Sequence, residues 1–590
     1  MVRARRFDLV LLVVIVLLGA CGGPSPTTSP AGSSPPASTV PAATPSNPPA
    51  AGTPTPEPAA LVPGALAVTV SDRLRVRSEP RVADDSIKFE PVLPLGTELT
   101  VVGGPVQASG YAWYQVEPLT FALDGGVSRG WVAIADRDGT PWVAPADDQI
   151  AGLEIALSTL ARAVADPADA GVAASSLNAF GIDLYRQMLR DPTLDLRDRN
   201  AVFSPTSIAL ALGMVRAGAR GATATQMDDV LHTSGWDELG PGLNALDQAL
   251  RSRNATWTDD EGTRSLALRI ANTSFAQRDW SIEQAFLDAI GAAFGAGVNL
   301  VDYGADPEAA RQTINAWVKR QTVGRIPELL APPDVSTLTR LYLVNAIYLK
   351  AEWDQWFWDG ETKDRIFTRL DGSTVKVPTM TGSRGGLGPI APYARGKDWR
   401  GIELGYLGPD GSRPLAMALI LPDDLRAFEG KLTPKRLGQV LGALDDERAA
   451  WDTVACPSSF DAGCYPYDLR MFMPRFGIET RAELTDPLAA IGMPIVFDQA
   501  RADLTGIHVP TDPLDNIYIS AVVHQANIDV DEKGTEAAAA TAVGVDTGGG
   551  PSPLKNVTFR LDHPLLFVLR DVGTGAVLFM GRVVDPSVGR

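Results

Sequence analysis

Ser204 and Ser207 stand three residues apart, and His524 closes an apolar run that starts at Ile517. A hydroxyl beside an imidazole is the pairing that makes a serine nucleophilic, because the ring takes the proton as the oxygen attacks. The local sequence argues against that use here. Ser204 is followed by Pro205 and by the apolar residues Ile208, Leu210, Leu212, Met214 and Val215. It therefore reads as a helix cap, with proline in the first turn. No oxyanion motif surrounds it. Asn345 and His524 are polar groups on otherwise apolar strands, and buried polar groups need partners. A hydrogen-bonded cluster would satisfy them. Metal chemistry has no foundation: four histidines and three cysteines are scattered along the chain, so neither a metal site nor a cofactor is expected.

The second reactive feature is a stretch rather than a side chain. From Val530 the chain reads Asp531, Glu532, Lys533, Gly534, Thr535, Glu536, then four alanines, Ala537, Ala538, Ala539 and Ala540. Thr541 to Pro553 follow, rich in Gly and Pro and without a large apolar anchor. The second half reads as an exposed loop. The alanines could form a helix on propensity, or enter a sheet because small side chains slot between packed neighbours. Loops of this length in compact domains are functional or disordered.

Several elements must position these residues. The chain has 590 residues and a formal net charge of -18. The length suggests two to four domains, and the charge argues against a nucleic-acid surface. Residues 1–20 combine Arg3, Arg5 and Arg6 with a short apolar core and read as a secretion signal. Leu18-Gly19-Ala20-Cys21 resembles a bacterial lipobox. That resemblance implies lipid on Cys21 and a protein anchored on the extracellular side of a bacterial membrane. Residues 21–64, almost wholly Gly, Pro, Ser, Thr and Ala, read as a tether. Residues 65–145 carry short strands punctuated by glycine and resemble a bacterial SH3-like domain, a small all-β barrel. The segments that carry this resemblance are Leu74 to Pro80, Trp113 to Val116 and Gly130 to Val132. It implies a cell-wall or peptide ligand, with Trp113 and Trp131 either as ligand platforms or as core. Cys456 and Cys464 could close one local disulfide in an oxidising compartment, or stay free thiols.

Residues 150–590 mix helices, mostly in the first third, with later strands, an α+β pattern. Ile150 to Leu160 reads as an apolar-striped helix. Within this region Asn200 to Leu210, Gly218 to Met227, Ile314 to Val318 with Thr322 to Ile326, and Leu343 to Tyr348 with Trp353 resemble serpin segments. So do Met473 to Phe476, Val522 to Ala526, Glu532 to Ala540, Asp562 to Pro564 and Leu578 to Val583, in family order. The whole chain is thus read as multidomain: a serpin fold of three sheets, helices and an exposed reactive loop, plus the small barrel.

The resemblance implies a suicide-substrate inhibitor, not an enzyme. A target serine protease, or by extension a cysteine protease, would cut the loop and be trapped as the loop inserts into the central sheet. The chain would act as a monomer. Glu532, Gly534, Thr535 and Ala537 to Ala540 match the hinge, Ser204, Ser207, Asn345 and His524 the shutter where the sheet opens, and Trp353 the point where the loop enters. Family spacing from Glu532 places the cut between Gly548 and Gly549. No Lys or Arg lies between Lys533 and Lys555, which disfavours a trypsin-like target. The rival reading is a non-inhibitory serpin-fold binding or scaffold protein on the cell surface.

Overall fold

The computed structural model describes residue 61 and residues 66–145, 153–452, 467–535 and 555–589. Short interruptions fall at 72–73, 94–96, 119–122, 124–128, 138–140, 161, 260–261, 323, 356, 358, 383–390 and 513–515. The expected leader, Cys21, Cys456, Cys464, Glu536, Ala537 to Ala540, Gly548 and Gly549 lie outside the described residues.

Alternating side chains build an N-terminal sheet from β1 (Leu66–Thr69), β2 (Leu74–Arg77), β3 (Lys88–Leu93), β4 (Glu98–Ala108), β5 (Tyr111–Pro118), β6 (Gly130–Ala133) and β7 (Val143–Pro145). One face buries Ala67, Val76, Leu99, Val101, Val116 and Val132. The strand order is β3-β2-β6-β5-β4-β1-β7, an open path. The expected SH3-like barrel is therefore corrected. Strand β1 adds to β4, and β7 adds to β1. The ladder ends on β3 and β7, which do not pair with each other, and closure needs every edge paired. With the barrel goes its ligand. Trp113 is 3% exposed, and its indole N–H donates to the Ala108 carbonyl at 2.8 Å. Trp131 is half-buried, opposite Arg77 on β2 and Gln115 on β5.

The larger part continues with β8 (Glu154–Ala156), α1 (Pro167–Met188), β9 (Ala201–Phe203), α2 (Pro205–Gly218), α3 (Gly221–Leu231) and α4 (Trp236–Arg251). Next come β10 (Ala255–Asp259), β11 (Gly262–Gln277), α5 (Gln284–Phe294), β12 (Val298–Val301), α6 (Pro307–Gln321) and β13 (Leu341–Glu352). Strands β14 (Lys363–Thr368), β15 (Thr374–Gly382), β16 (Tyr393–Arg395), β17 (Trp399–Tyr406) and β18 (Leu415–Pro422) precede α7 (Leu425–Gly430) and α8 (Pro434–Asp452). The chain closes with β19 (Tyr467–Pro474), β20 (Phe476–Glu483), α9 (Thr485–Ala490), β21 (Val523–Val530), β22 (Gly534–Thr535), β23 (Lys555–Arg560), β24 (Leu565–Asp571) and β25 (Val577–Val583).

Three sheets result. The central one runs β20-β21-β22-β13-β11-β12-β8, with β10 paired to β11. A second runs β16-β17-β18-β24-β25-β9, and a third β14-β15-β19-β23. Among the described residues 153–160, a strand stands where a helix over Ile150 to Leu160 was expected. Strand β8 pairs there with β12, Ile155 opposite Asn299, because the outer edge of the four-residue β12 offers free backbone groups.

Two helices frame the central sheet. Helix α2 is buried at every position from Pro205 to Gly218, so it serves as the floor. Ser204 caps it, its hydroxyl accepting from the Ser207 amide at 3.2 Å. Helix α6 starts with Asp306 as cap and Pro307 in its first turn, and it buries Ala310, Ile314 and Val318. Its Trp317 meets Phe275 of β11 edge-on at 6.0 Å.

Candidate functional site

The residues expected to form the hinge begin where three chain segments converge. Glu532 is 2% exposed. Its carboxylate accepts from Arg475 at 2.7 Å and 2.6 Å and from the Thr362 hydroxyl. The Glu532 carbonyl accepts from the Phe357 amide at 2.9 Å, and the Lys533 carbonyl from the Trp353 amide at 2.7 Å. The Trp353 indole N–H donates to the Asp531 carbonyl at 2.9 Å. Trp353 thus fixes the chain twice just ahead of β22 (Gly534–Thr535), and it stacks on Tyr406 with centroids 4.4 Å apart.

Gly534 and Thr535 then form β22, a two-residue strand already inside the central sheet. Thr535 pairs with Ala351 of β13 on one side and Val530 of β21 on the other. Gly534 has φ +157, and a Cβ there would sit 2.1 Å from the Ala351 carbonyl oxygen. Only glycine admits that approach. Thr535 is buried, and its hydroxyl lies 2.5 Å from the Tyr406 hydroxyl. Tyr406→Phe keeps the stack and deletes this bond. It is expected to lower native stability by about 1 kcal/mol, read as a lower urea midpoint; an unchanged midpoint would mean that the hydroxyls do not support the hinge.

Further down, β13 and β21 pair directly at Ala346 and Gln525. Beside that pair the structure brings Ser204, Ser207, Asn345 and His524 together. The Ser204 amide donates to His524 Nε2 at 3.1 Å, so Nε2 must be the acceptor and Nδ1 carries the proton. Nδ1–H donates to Asn345 Oδ1 at 2.9 Å. Asn345 Nδ2 donates to Ser207 Oγ and to Asn272 Oδ1, each at 2.6 Å. The cluster stitches β21 to β13, to β11 and to the start of α2. His524 is fully buried, and burial pushes its pKa down to about 3. The ring is neutral, shielded from solvent and committed at both nitrogens, so it holds strands together and has no free nitrogen to act as a base.

Sequence reasoning missed Tyr406, Arg475, Thr362 and Asn272. Arg475 lies inside the serpin-like segment Met473 to Phe476, and an arginine after a proline between two strands was the available signal. Tyr406 ends β17 and carried no signal of its own.

A family model described as Serpin (serine protease inhibitor) matches residues 175–586. This chain is a serpin. It is 36% identical over 416 residues to the leukocyte elastase inhibitor of Bos taurus, covering 69% of this chain and 97% of that protein. The Homo sapiens leukocyte elastase inhibitor is 33% identical over 422 residues, with 70% and 99% covered. An uncharacterized serpin-like protein of Thermococcus kodakarensis is 32% identical over 420 residues, with 70% and 86% covered. Among solved structures, native protease nexin-1 with heparin superposes with TM-score 0.54 at 26% identity, covering 71% of this serpin and 100% of that chain. The native thermophilic serpin tengpin superposes with TM-score 0.56 at 24% identity, covering 73% and 97%, and this likeness speaks for the fold. As a member of this inhibitor family, the protein is not an enzyme.

The comparisons also correct the expected location. The family match starts at residue 175, and these relatives come from animals and an archaeon. They lend nothing to a bacterial signal peptide, to lipid on Cys21 or to a bacterial membrane surface, and that assignment is withdrawn.

Proposed function

We propose that this serpin is a suicide-substrate inhibitor of serine endopeptidases that favour small apolar residues. The observation that carries the reading is β22: two of the expected hinge residues, Gly534 and Thr535, already occupy the slot between β13 and β21. In the reaction, the protease serine attacks a loop carbonyl, the peptide bond breaks, and the new amino terminus leaves. The upstream loop, still esterified to the protease, then continues β22 down the slot. Its register follows from Thr535 opposite Ala351 and Val530. Each further loop residue steps one position back along both strands, so Thr541 arrives opposite Asn345 and His524. Thr535, Ala537, Ala539 and Thr541 face the core, and Glu536 faces outward. Small residues fall on the buried side.

Thirteen steps separate Thr535 from Gly548, so a cut after Gly548 would carry the protease roughly 45 Å. That displacement distorts the acyl-enzyme before water completes hydrolysis, and a kinetically trapped fold supplies the energy. Val543 and Val545 suit an elastase-like pocket, in keeping with relatives named leukocyte elastase inhibitor. The cysteine-protease extension and the non-inhibitory scaffold reading gain no support from these relatives.

Incubation of the full chain with elastase-, subtilisin- and trypsin-like proteases tests the reading. A denaturing gel should show a band at the summed mass with the elastase-like enzyme, and mass spectrometry of the released peptide should fix the cut. Cleavage by all three with no such band would overturn it.

A further inference from the structure

We propose that residues 154–160, with Arg162 and Ala163, form a strap that ties the parting half of the central sheet to the rest of the body. By opposing that parting, the strap sets how long the protein stays competent to trap. The inference rests on the reading that the loop enters the central sheet.

The strap lies upstream of the family match, which starts at residue 175. It opens as β8 on the outer edge of β12, with Glu154 opposite Leu300 and Ala156 opposite Val298. The body leaves room for it. A Cβ at Gly297 would sit 2.5 Å from the Ala156 carbonyl oxygen, and one at Gly291 of α5 would sit 2.3 Å from the Ser158 Cβ. Glycine permits both approaches. The strap then crosses α5. Asp288 accepts from the Ser158 hydroxyl and the Thr159 amide, each at 2.9 Å. The Ala163 amide donates to the Ala292 carbonyl at 3.0 Å. On α4, Arg162 donates to Asn244 Oδ1 at 2.9 Å and pairs with Asp247 at 2.7 Å. The Ala163 carbonyl accepts from Asn244 Nδ2 at 3.0 Å and from Gln248 Nε2 at 3.1 Å. Asp166 then caps α1.

The two ends of the strap belong to parts that insertion drives apart. Strands β12 and β8 stand at the far end of the β13-β11-β12-β8 half, which must move from β21 by about 4.8 Å to admit a strand. Helix α1 is fixed to the second sheet. Its Asn178 donates to the Gly575 carbonyl at 2.8 Å and accepts at 2.9 Å from the Val577 amide that opens β25. Helix α4 packs on α1, where Gly242 leaves room for Ala173. A shift of β12 therefore pulls on the strap's hold on α4. Contacts present in the closed sheet and lost on parting raise the barrier to parting. The N-terminal sheet braces the same anchor. Asp247 also accepts from Arg251 at 2.8 Å, and Arg251 donates to Glu117 of β5 at 2.6 Å.

Warming the uncleaved full chain tests the strap. A chain whose own loop fills the slot should appear as a monomer of higher melting temperature that no longer traps. Arg162→Ala is expected to shorten the half-life for this conversion about tenfold, the effect of one charged hydrogen-bonded contact held only before parting. Arg162→Lys keeps the charge without the planar fork and should fall between Arg162→Ala and the parent; it carries the test if Arg162→Ala does not fold. Glu117→Gln, outside the strap, should shorten the half-life about threefold by loosening Arg251. Conversion of the Arg162 variants at the parent rate would overturn the strap. So would loss of trapping by unfolding or aggregation alone, with no heat-stable monomer formed, since that is what a merely structural contact would give. Melting and size need no protease. Faster conversion of the variants in a chain that captures no protease would therefore sink the proposed function and leave the strap standing.

Discussion

Thr535→Arg is expected to leave the loop cleavable and abolish protease trapping. Thr535 sits inside the central sheet, buried, with its hydroxyl against Tyr406. An arginine at this position either places an unpaired guanidinium in that space or pulls β22 out of the slot. Uncompensated buried charge costs about 3–5 kcal/mol. Insertion would then slow by roughly two to four orders of magnitude. The acyl-enzyme faces two fates, displacement by insertion or hydrolysis by water, and a slowdown of that size hands the outcome to hydrolysis. On a denaturing gel the summed-mass band should vanish while cleaved inhibitor accumulates. Thr535→Val is the control, since it keeps the shape and removes only the hydroxyl. It should still trap. Trapping by Thr535→Arg at the parent rate would mean that insertion does not begin at β22.

Much of the fold was legible because its signals are local. Ser204-Pro205 and Asp306-Pro307 each mark a helix start through a cap and a proline, and both helices begin there. The apolar run Leu341 to Leu349 is a strand signal, and β13 is buried at each of those positions. The polar residues Asn345 and His524 stood out against apolar neighbours, and burial forces such groups to find each other. The failures are long-range. Ile150 to Leu160 has apolar residues that fit a helix, but a free sheet edge at β12 claimed Glu154 to Ala156 instead. The glycine-punctuated strands of residues 65–145 gave no sign of whether their outermost members would meet, and they form an open sheet. Tyr406 and Thr362 were invisible for the same reason. Each is remote in sequence from the hinge and acquires a role only through the sheet packing that brings it there.

Acid is expected to loosen the closed sheet through His524 before carboxylates contribute. The ring is neutral in the fold, with a pKa near 3, against about 6.5 in the unfolded chain. A base whose folded pKa is depressed binds fewer protons folded than unfolded. Its neutral form therefore supports the fold fully above pH 6.5, and that support drains as pH falls from 6.5 toward 3. At pH 5 the deficit spans about 1.5 pH units, or about 2 kcal/mol. Protonation also strikes the link that matters mechanically, because an imidazolium has no lone pair for the Ser204 amide that now donates to Nε2. Losing that bond frees β21 from the start of α2 and eases the separation from β13 that insertion requires. The half-life of the trapping-competent form at pH 5 should therefore be shorter than at pH 7, by up to about thirtyfold if strand parting exposes the ring fully. His524→Gln retains a polar side chain but cannot titrate, so its half-life should start shorter and change little between these two values. If the parent and His524→Gln lose activity in parallel as pH falls, the buried imidazole is not what holds the slot closed. The inserted register gives the same cluster a second role. Thr541, arriving between Asn345 and His524, can offer a hydroxyl where the direct His524–Asn345 bond has been parted. The residues that keep the sheet shut would then be the ones that receive the strand.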